Sequence, residues 1–231
     1  MGLFSDMKAQ RALAAHSKGN ADEAMRLYHE AYAEGVNKAR FLLPFSILLL
    51  RAGDYAKARE VLKKVEKAPG GLTPNQRNQM ITNYAIACWK EGRLEYALEL
   101  LWGVYKKGAS ETIYGALGFL LIEKGDFDEA LAFNLEAVQY DDEDPVTLDN
   151  LAQTYYRLGN DKEEARKWFI KAIEQKEDAI DSNYFLALYD IEEGKTEQAR
   201  ERLTVASEGR FSPLNFASRE MVKEKLASLN G

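Results

Sequence analysis

Six glycines recur along this chain of 231 residues at a nearly constant spacing. Successive members of the series lie 34, 39, 33, 34 and 35 residues apart, at Gly19, Gly53, Gly92, Gly125, Gly159 and Gly194. Self-similarity at a period of this size is the signature of a repeat protein. Each repeat of such a protein contacts mainly its neighbours, since one unit cannot bury its apolar face alone. The period therefore constrains the fold more than any single motif does.

Two rows of small residues keep register with the glycines. Seven residues before each glycine stand Ala12, Ser46, Ala85, Gly118, Ala152 and Ala187. Five residues after it, or six in the fifth unit where one residue is inserted, stand Ala24, Ala58, Ala97, Ala130, Ala165 and Ala199. Small side chains at these positions let two helices approach closely. Each unit is therefore predicted to be a pair of helices joined by a turn at its glycine.

This pattern resembles the tetratricopeptide repeat, a helix-turn-helix unit of about 34 residues. The resemblance implies an all-α, right-handed helix-turn-helix solenoid with a C-terminal capping helix. We expect one solenoid domain over residues 1–231. Its six helix pairs are predicted at residues 5–35, 39–67, 74–107, 111–140, 145–176 and 180–207, and its capping helix at residues 212–229.

Three helix starts carry a capping residue followed by proline. Thr73 precedes Pro74, with Gln76 in place to complete a capping box. Asp144 before Pro145, and Ser212 before Pro213, repeat this signal. The last pair predicts that the capping helix begins near residue 212.

Two residues depart from the repeat pattern. Asn134 stands where the other units place a bulky apolar residue, which predicts weaker packing of that helix. Gly103 interrupts a helix, at about 1 kcal/mol relative to alanine. Either a close neighbouring helix or a partner contact would account for this glycine.

Composition and charge exclude several classes of function. The net charge of −6, with acids and bases interleaved, argues against a nucleic-acid partner. The single cysteine, Cys88, lies among apolar residues and is predicted to be a buried thiol. Two histidines and no metal-ligand spacing predict no metal site, no cofactor and no enzyme activity.

The N-terminal region lacks the pattern of a targeting signal, which predicts a cytoplasmic location. The longest apolar stretch, residues 41–50, is about half of what a membrane span needs and contains Pro44. We therefore expect no membrane insertion.

The resemblance also implies a binding groove along the first helices. Counted back from each turn glycine, the positions that would line it are Leu43, Ile47, Leu50, Arg51, Ile86, Trp89, Lys90, Gly115, Phe119, Ile122, Gln153, Tyr156, Arg157, Tyr184 and Leu188. The floor would be apolar with one cationic edge, Trp89 and Phe119 would be the anchors, and Gly115 would leave a notch.

The predicted function is a non-enzymatic scaffold or adaptor that binds an apolar or aromatic peptide segment, or a partner protein, in this groove. The lysine and asparagine clamp that related proteins use for chaperone tails is missing. Two alternatives stay open: a self-associating, homo-oligomeric structural protein that uses the same apolar strip, and a regulatory subunit of an enzyme assembly.

Overall fold

A computed structural model describes residues 2–229, and its regular structure is entirely helical. This confirms the predicted all-α class. The helices are α1 (Gly2–Ser17), α2 (Ala21–Ala33), α3 (Ala39–Arg51), α4 (Tyr55–Glu66), α5 (Pro74–Lys90), α6 (Leu94–Tyr105), α7 (Glu111–Lys124), α8 (Phe127–Tyr140), α9 (Pro145–Gln153), α10 (Lys162–Gln175), α11 (Ile180–Glu192), α12 (Thr196–Glu208) and α13 (Arg219–Ser228).

The helices belong to two compact units. The first runs up to Val104 and holds α1–α5 and all of α6 but its last residue, and the second begins at Tyr105 and holds α7–α13. The single domain over residues 1–231 stays a prediction, and its extreme positions, Met1, Asn230 and Gly231, lie outside the described residues.

Both rows of small residues are buried throughout the two units. Within the first unit, α1 packs against α2 and α3 against α4, and in the second α11 packs against α12. The burial agrees with helix pairs that meet where their side chains are smallest. A larger side chain in either row would hold the paired helices apart.

Five of the six predicted turn glycines have left-handed backbone, with φ between 73° and 88°. In the fifth helix pair the turn residue is Asn160 instead, at φ 51°, since asparagine tolerates the left-handed backbone region better than most residues. The prediction that Gly159 is the turn residue is therefore wrong. It ends a π-helical segment, Thr154–Gly159, which absorbs the inserted residue before the turn.

Two of the three predicted helix starts are confirmed. The Thr73 hydroxyl accepts the Gln76 N–H at 3.2 Å, and Gln76 Oε1 accepts the Thr73 N–H at 3.1 Å, which completes the capping box. The Asp144 carboxylate accepts the N–H of Thr147 at 3.1 Å.

The third predicted start, at Ser212, is wrong. Residues 212–215 form a turn in which the Asn215 N–H donates to Ser212 O at 3.1 Å and the Ser212 hydroxyl accepts the Leu214 N–H at 3.0 Å. The capping helix begins only at Arg219, where the Ser218 hydroxyl accepts the Met221 N–H. Ser212 thus closes a turn and does not cap a helix.

Asn134 is fully buried, and the weaker packing of its helix stays a prediction. Its Nδ2 donates to Thr154 Oγ1 at 3.0 Å, which ties α8 to the π-helical segment. On α7, Gly118 leaves room for this amide, because a Cβ there would overlap Asn134 Oδ1. A polar contact here replaces the usual apolar one.

Gly103 has open space around it, because a Cβ built there meets no atom within 4 Å. Of the two explanations left open for this glycine, a close neighbouring helix therefore does not apply. Gly118 and Gly103 therefore form a matched pair for measuring how an added methyl group changes the free energy of unfolding.

We expect Gly118→Ala to lower the free energy of unfolding by about 1–3 kcal/mol, because the methyl group overpacks against Asn134. Gly103→Ala should raise it by about 0.5–1 kcal/mol through higher helix propensity. Urea unfolding followed by circular dichroism measures both. Equal effects of the same sign would contradict this account of Gly118.

Candidate functional site

The predicted groove residues divide sharply by exposure. Those that are buried are Leu43, Leu50, Ile86, Gly115, Phe119, Ile122, Gln153 and Tyr184. Those that reach the surface in part are Ile47, Trp89, Lys90, Tyr156, Arg157 and Leu188, and Arg51 is exposed. A partner therefore meets fewer than half of the predicted positions in this structure.

Phe119 and Gly115 do not form the predicted anchor and notch. The Phe119 ring is only 2% exposed, so it offers a ligand almost no surface. The space beside Gly115 is taken by Val146 of α9, whose Cγ1 would lie 2.9 Å from an added Cβ. Asn150 Nδ2 also donates to Gly115 O at 2.9 Å. The glycine serves close helix packing within the second unit.

In the first unit, the groove residues that reach the surface lie on α3 and α5, and two of them, Arg51 and Lys90, occupy matching positions two residues before their turn glycines. Ile47 and Arg51 lie on α3, and Trp89 lies on α5 beside Lys90, whose Nζ is 3.9 Å from the indole ring centroid. The two helices are joined nearby, where Asn83 donates to Ser46 Oγ at 3.2 Å. We call these four residues the α3–α5 face.

In the second unit, the groove positions carry a buried polar cluster that includes two carboxylates. Asp149 accepts hydrogen bonds from Gln153 Nε2 at 2.7 Å and from the Ser182 hydroxyl. Gln153 Nε2 also lies 3.4 Å from Asp181 Oδ2. One amide thus bridges an acid of α9 and an acid of α11.

Burial, together with the negative charge of Asp181, raises the pKa of Asp149 to about 7. Hydrogen bonds from Ser182 and Gln153, together with the nearby charge of Arg157, oppose this rise. Burial also raises the pKa of Asp181, against the backbone N–H groups that donate to it. Two carboxylates in one buried cluster disfavour each other's ionisation.

Asp181 holds a non-helical segment of the chain that lies between α12 and α13. Its Oδ2 accepts the Phe216 N–H and its Oδ1 the Ala217 N–H, both at 2.9 Å, and Asn215 Nδ2 donates to Oδ2 at 3.1 Å. Hydrogen bonds to a carboxylate are among the stronger ones in proteins. We call residues 211–217 the C-terminal segment and this arrangement the Asp181 cradle.

The ring of Phe216 lies on residues of the predicted groove. It stacks on Phe185 of α11 with centroids 5.0 Å apart, and Tyr184 is 6.3 Å away. The Arg157 guanidinium carbon is 4.5 Å from the Phe216 centroid. Arg157 itself is held by Glu123 at 2.6 Å and by Gln153 Oε1 at 3.1 Å.

Sequence reasoning missed Asp181, Asn215 and Phe216. A signal for the segment was present, because Ser212-Pro213-Leu214-Asn215 matches a type I turn, with serine first and proline second. Asp181 had no comparable signal. An acid in the first turn of a helix is common for reasons of helix polarity, so its role here was invisible.

Three other features were predicted from the sequence: the absence of a metal site, the absence of a membrane span, and a buried cysteine. Residues 2–229 contain no cluster of three or more histidine, cysteine or acidic side chains suited to a metal ion. Among the same residues, no helix has the length and apolar character needed to cross a bilayer. Cys88 is buried as predicted, and burial raises the pKa of its thiol.

Family models of the tetratricopeptide repeat match residues 15–71, 111–144 and 146–174, which together cover just over half of the chain. The chain is a tetratricopeptide repeat protein. The predicted resemblance is thus confirmed. No curated protein sequence matches the chain.

Solved structures of tetratricopeptide repeat proteins share the fold. A tetratricopeptide repeat protein from Parabacteroides merdae superposes with a TM-score of 0.77 at 13% identity, over 98% of this chain and 84% of that one. A thermophilic repeat protein of Thermus thermophilus gives 0.60 at 21% identity, over 77% and 94%. MamA from Desulfovibrio magneticus gives 0.57 at 23%, over 78% and 98%. At these identities the likeness concerns the fold alone.

The buried acids predict an unusual dependence of stability on pH. Because native Asp149 binds its proton more tightly than the unfolded chain does, stability should rise as pH falls from about 7 to about 4. Asp149→Asn removes this contribution, so its melting temperature should exceed that of the wild type at about pH 8 and approach it near pH 4.

Calorimetry or thermal circular dichroism at several pH values measures the difference. Asp142→Asn is the matched control, since it removes the same charge from an exposed position on the α8–α9 loop. A gap between Asp149→Asn and the wild type that does not change with pH would contradict the proposed titration.

Proposed function

We propose that this tetratricopeptide repeat protein is a scaffold or adaptor that binds an apolar or aromatic segment of a partner protein on the α3–α5 face. The repeat fold supports a general role in protein–protein interaction. The observation that carries the finer proposal is that Ile47, Arg51, Trp89 and Lys90 all reach the surface on two joined helices, with Arg51 and Lys90 at matching repeat positions.

The chemistry of this face suits a peptide with an apolar side chain and a nearby acid. An indole provides a large, rigid apolar surface, and tryptophan and arginine are over-represented among residues that dominate binding energy. Arg51 and Lys90 give the face two cationic side chains at equivalent positions. A carboxylate on the partner would pair with them, while Ile47 and Trp89 would receive its apolar residue.

The buried groove residues of the first unit support the α3–α5 face in this proposal and do not contact the partner. Leu43, Leu50 and Ile86 are almost fully buried, so we expect them to support the α3–α5 face from within the unit. Phe119 and Ile122 are buried in the second unit in the same way. These positions are unsuitable for testing binding, because a polar substitution there would disturb packing first.

We also propose that the chain acts without catalytic activity, as tetratricopeptide repeat proteins typically do. The cytoplasmic location stays a prediction. The following experiment distinguishes binding to a partner from self-association.

We expect Trp89→Ala to weaken partner binding by about 2 kcal/mol or more, close to thirtyfold, because truncating an aromatic anchor removes much of its buried contact. Trp102→Ala is the matched control, since it makes the same change on α6, the second helix of the same pair. Proteins captured from the native lysate identify the partner, and isothermal titration then measures its affinity for each variant.

Circular dichroism of both variants should match the wild type before titration. Equal affinities for wild type and Trp89→Ala would remove the α3–α5 face as the binding site. Capture of only the protein's own copies, with a mass that rises with concentration in light scattering, would support self-association instead.

A further inference from the structure

The C-terminal segment occupies the groove positions of the second unit in the manner of a bound peptide. It is non-helical from residue 210 to residue 218, and its contacts with α11 come from two consecutive backbone N–H groups and two side chains. Any extended peptide can supply the backbone donors. The ring of Phe216 and the amide of Asn215 add side-chain contacts that not every peptide can make.

The receiving surface is organised around a buried carboxyl group. Asp181 is 4% exposed, and its carboxylate accepts three donors from the C-terminal segment. Leaving these lone pairs unsatisfied in a buried site would destabilise the unit, so the cradle needs an occupant that donates hydrogen bonds. Arg157 and Phe185 complete it with a cation and a ring on the Phe216 side chain.

Contacts outside the cradle also hold together the two helices that flank the segment. Arg219 Nη1, at the start of α13, donates to Ser207 O near the end of α12 at 3.0 Å, and α13 packs against α12. This closes the loop at its base. Release of residues 211–217 therefore exposes the cradle through a local opening, which requires less free energy than unfolding of the unit.

We propose that the Asp181 cradle is a binding site for an extended peptide segment with an aromatic side chain directly preceded by a hydrogen-bond donor, and that the C-terminal segment closes this site in cis. The inference rests on the proposed scaffold role and adds a second site, in the second unit, with a defined ligand chemistry. A partner segment and residues 211–217 compete for the same acceptors. The tethered segment has the advantage of an effective concentration in the millimolar range.

The test uses the full-length protein and a fluorescent peptide with the sequence of residues 210–219. In the double variant Asn215→Ala, Phe216→Ala the tethered segment loses its selective contacts, so the peptide should bind and raise the fluorescence anisotropy. We expect at least about tenfold weaker binding to the wild type, where the tethered segment competes. Leu214→Ala is the matched control and should behave as the wild type.

Two altered peptides separate cradle recognition from non-specific adhesion. N-methylation of the two amides that correspond to Phe216 and Ala217 removes both backbone donors and should weaken binding at least about tenfold. The peptide with Phe216→Ala should weaken it similarly, whereas the peptide with Leu214→Ala should bind unchanged. If the double variant loses helix content, Phe216→Leu in the full chain retains an apolar side chain and replaces it.

Three results would overturn the inference: absence of peptide binding to the folded variant, equal binding to wild type and variant, or equal binding of the N-methylated peptide. Dimerisation of the variant in light scattering would replace it with exchange of C-terminal segments between two copies. The peptide is defined in advance, so failure here leaves the Trp89 experiment on the α3–α5 face unaffected.

Discussion

Each helix pair depends on the small residues at which its two helices cross. Alanine, serine or glycine stands at every one of these positions in both rows, and all are buried. Because the backbones approach closely there, larger side chains on either side of the crossing interlock with the next helix. A single helix pair exposes an apolar face that another helix must cover, so the helix pairs are stable only when they stack on one another.

The second unit departs from this apolar rule in a consistent way. Asn134, Asn150 and Thr154 lie buried between α7, α8 and the π-helical segment, joined by hydrogen bonds in place of apolar contacts. Asp149 and Asp181 continue the polar cluster toward the C-terminal end of the unit. Most buried polar groups in proteins are paired, and each hydrogen bond of this cluster sets the position of its partner more strictly than a leucine contact would.

That strictness links structure to the proposed functions. The α3–α5 face of the first unit combines apolar and cationic side chains in a pattern that any peptide of suitable chemistry could exploit. The Asp181 cradle is more selective, because its hydrogen bonds have fixed directions and it receives one aromatic ring, that of Phe216, at one position. The two proposals therefore describe binding of different kinds in two separate units, with the second governed by a segment of the chain itself.

The sequence by itself determined the helical repeats, the positions of the paired helices, and two helix caps, because these depend on periodicity and on residues close together in the chain. It also placed five of the six turns. It failed at Gly159, where the inserted residue could be absorbed on either side of the turn, and local propensity does not decide between them.

Only the tertiary structure decided which groove positions reach the surface. Ile122 and Trp89 both lie three residues before their turn glycines, yet Ile122 is buried and Trp89 reaches the surface in part. The tertiary structure also decided that residues 212–217 form a turn and a bound segment. Their hydrogen-bond partner, Asp181, lies more than thirty residues earlier in the chain. Long-range contacts of buried polar groups leave no periodic trace in sequence, since each is satisfied by one particular neighbour in the fold.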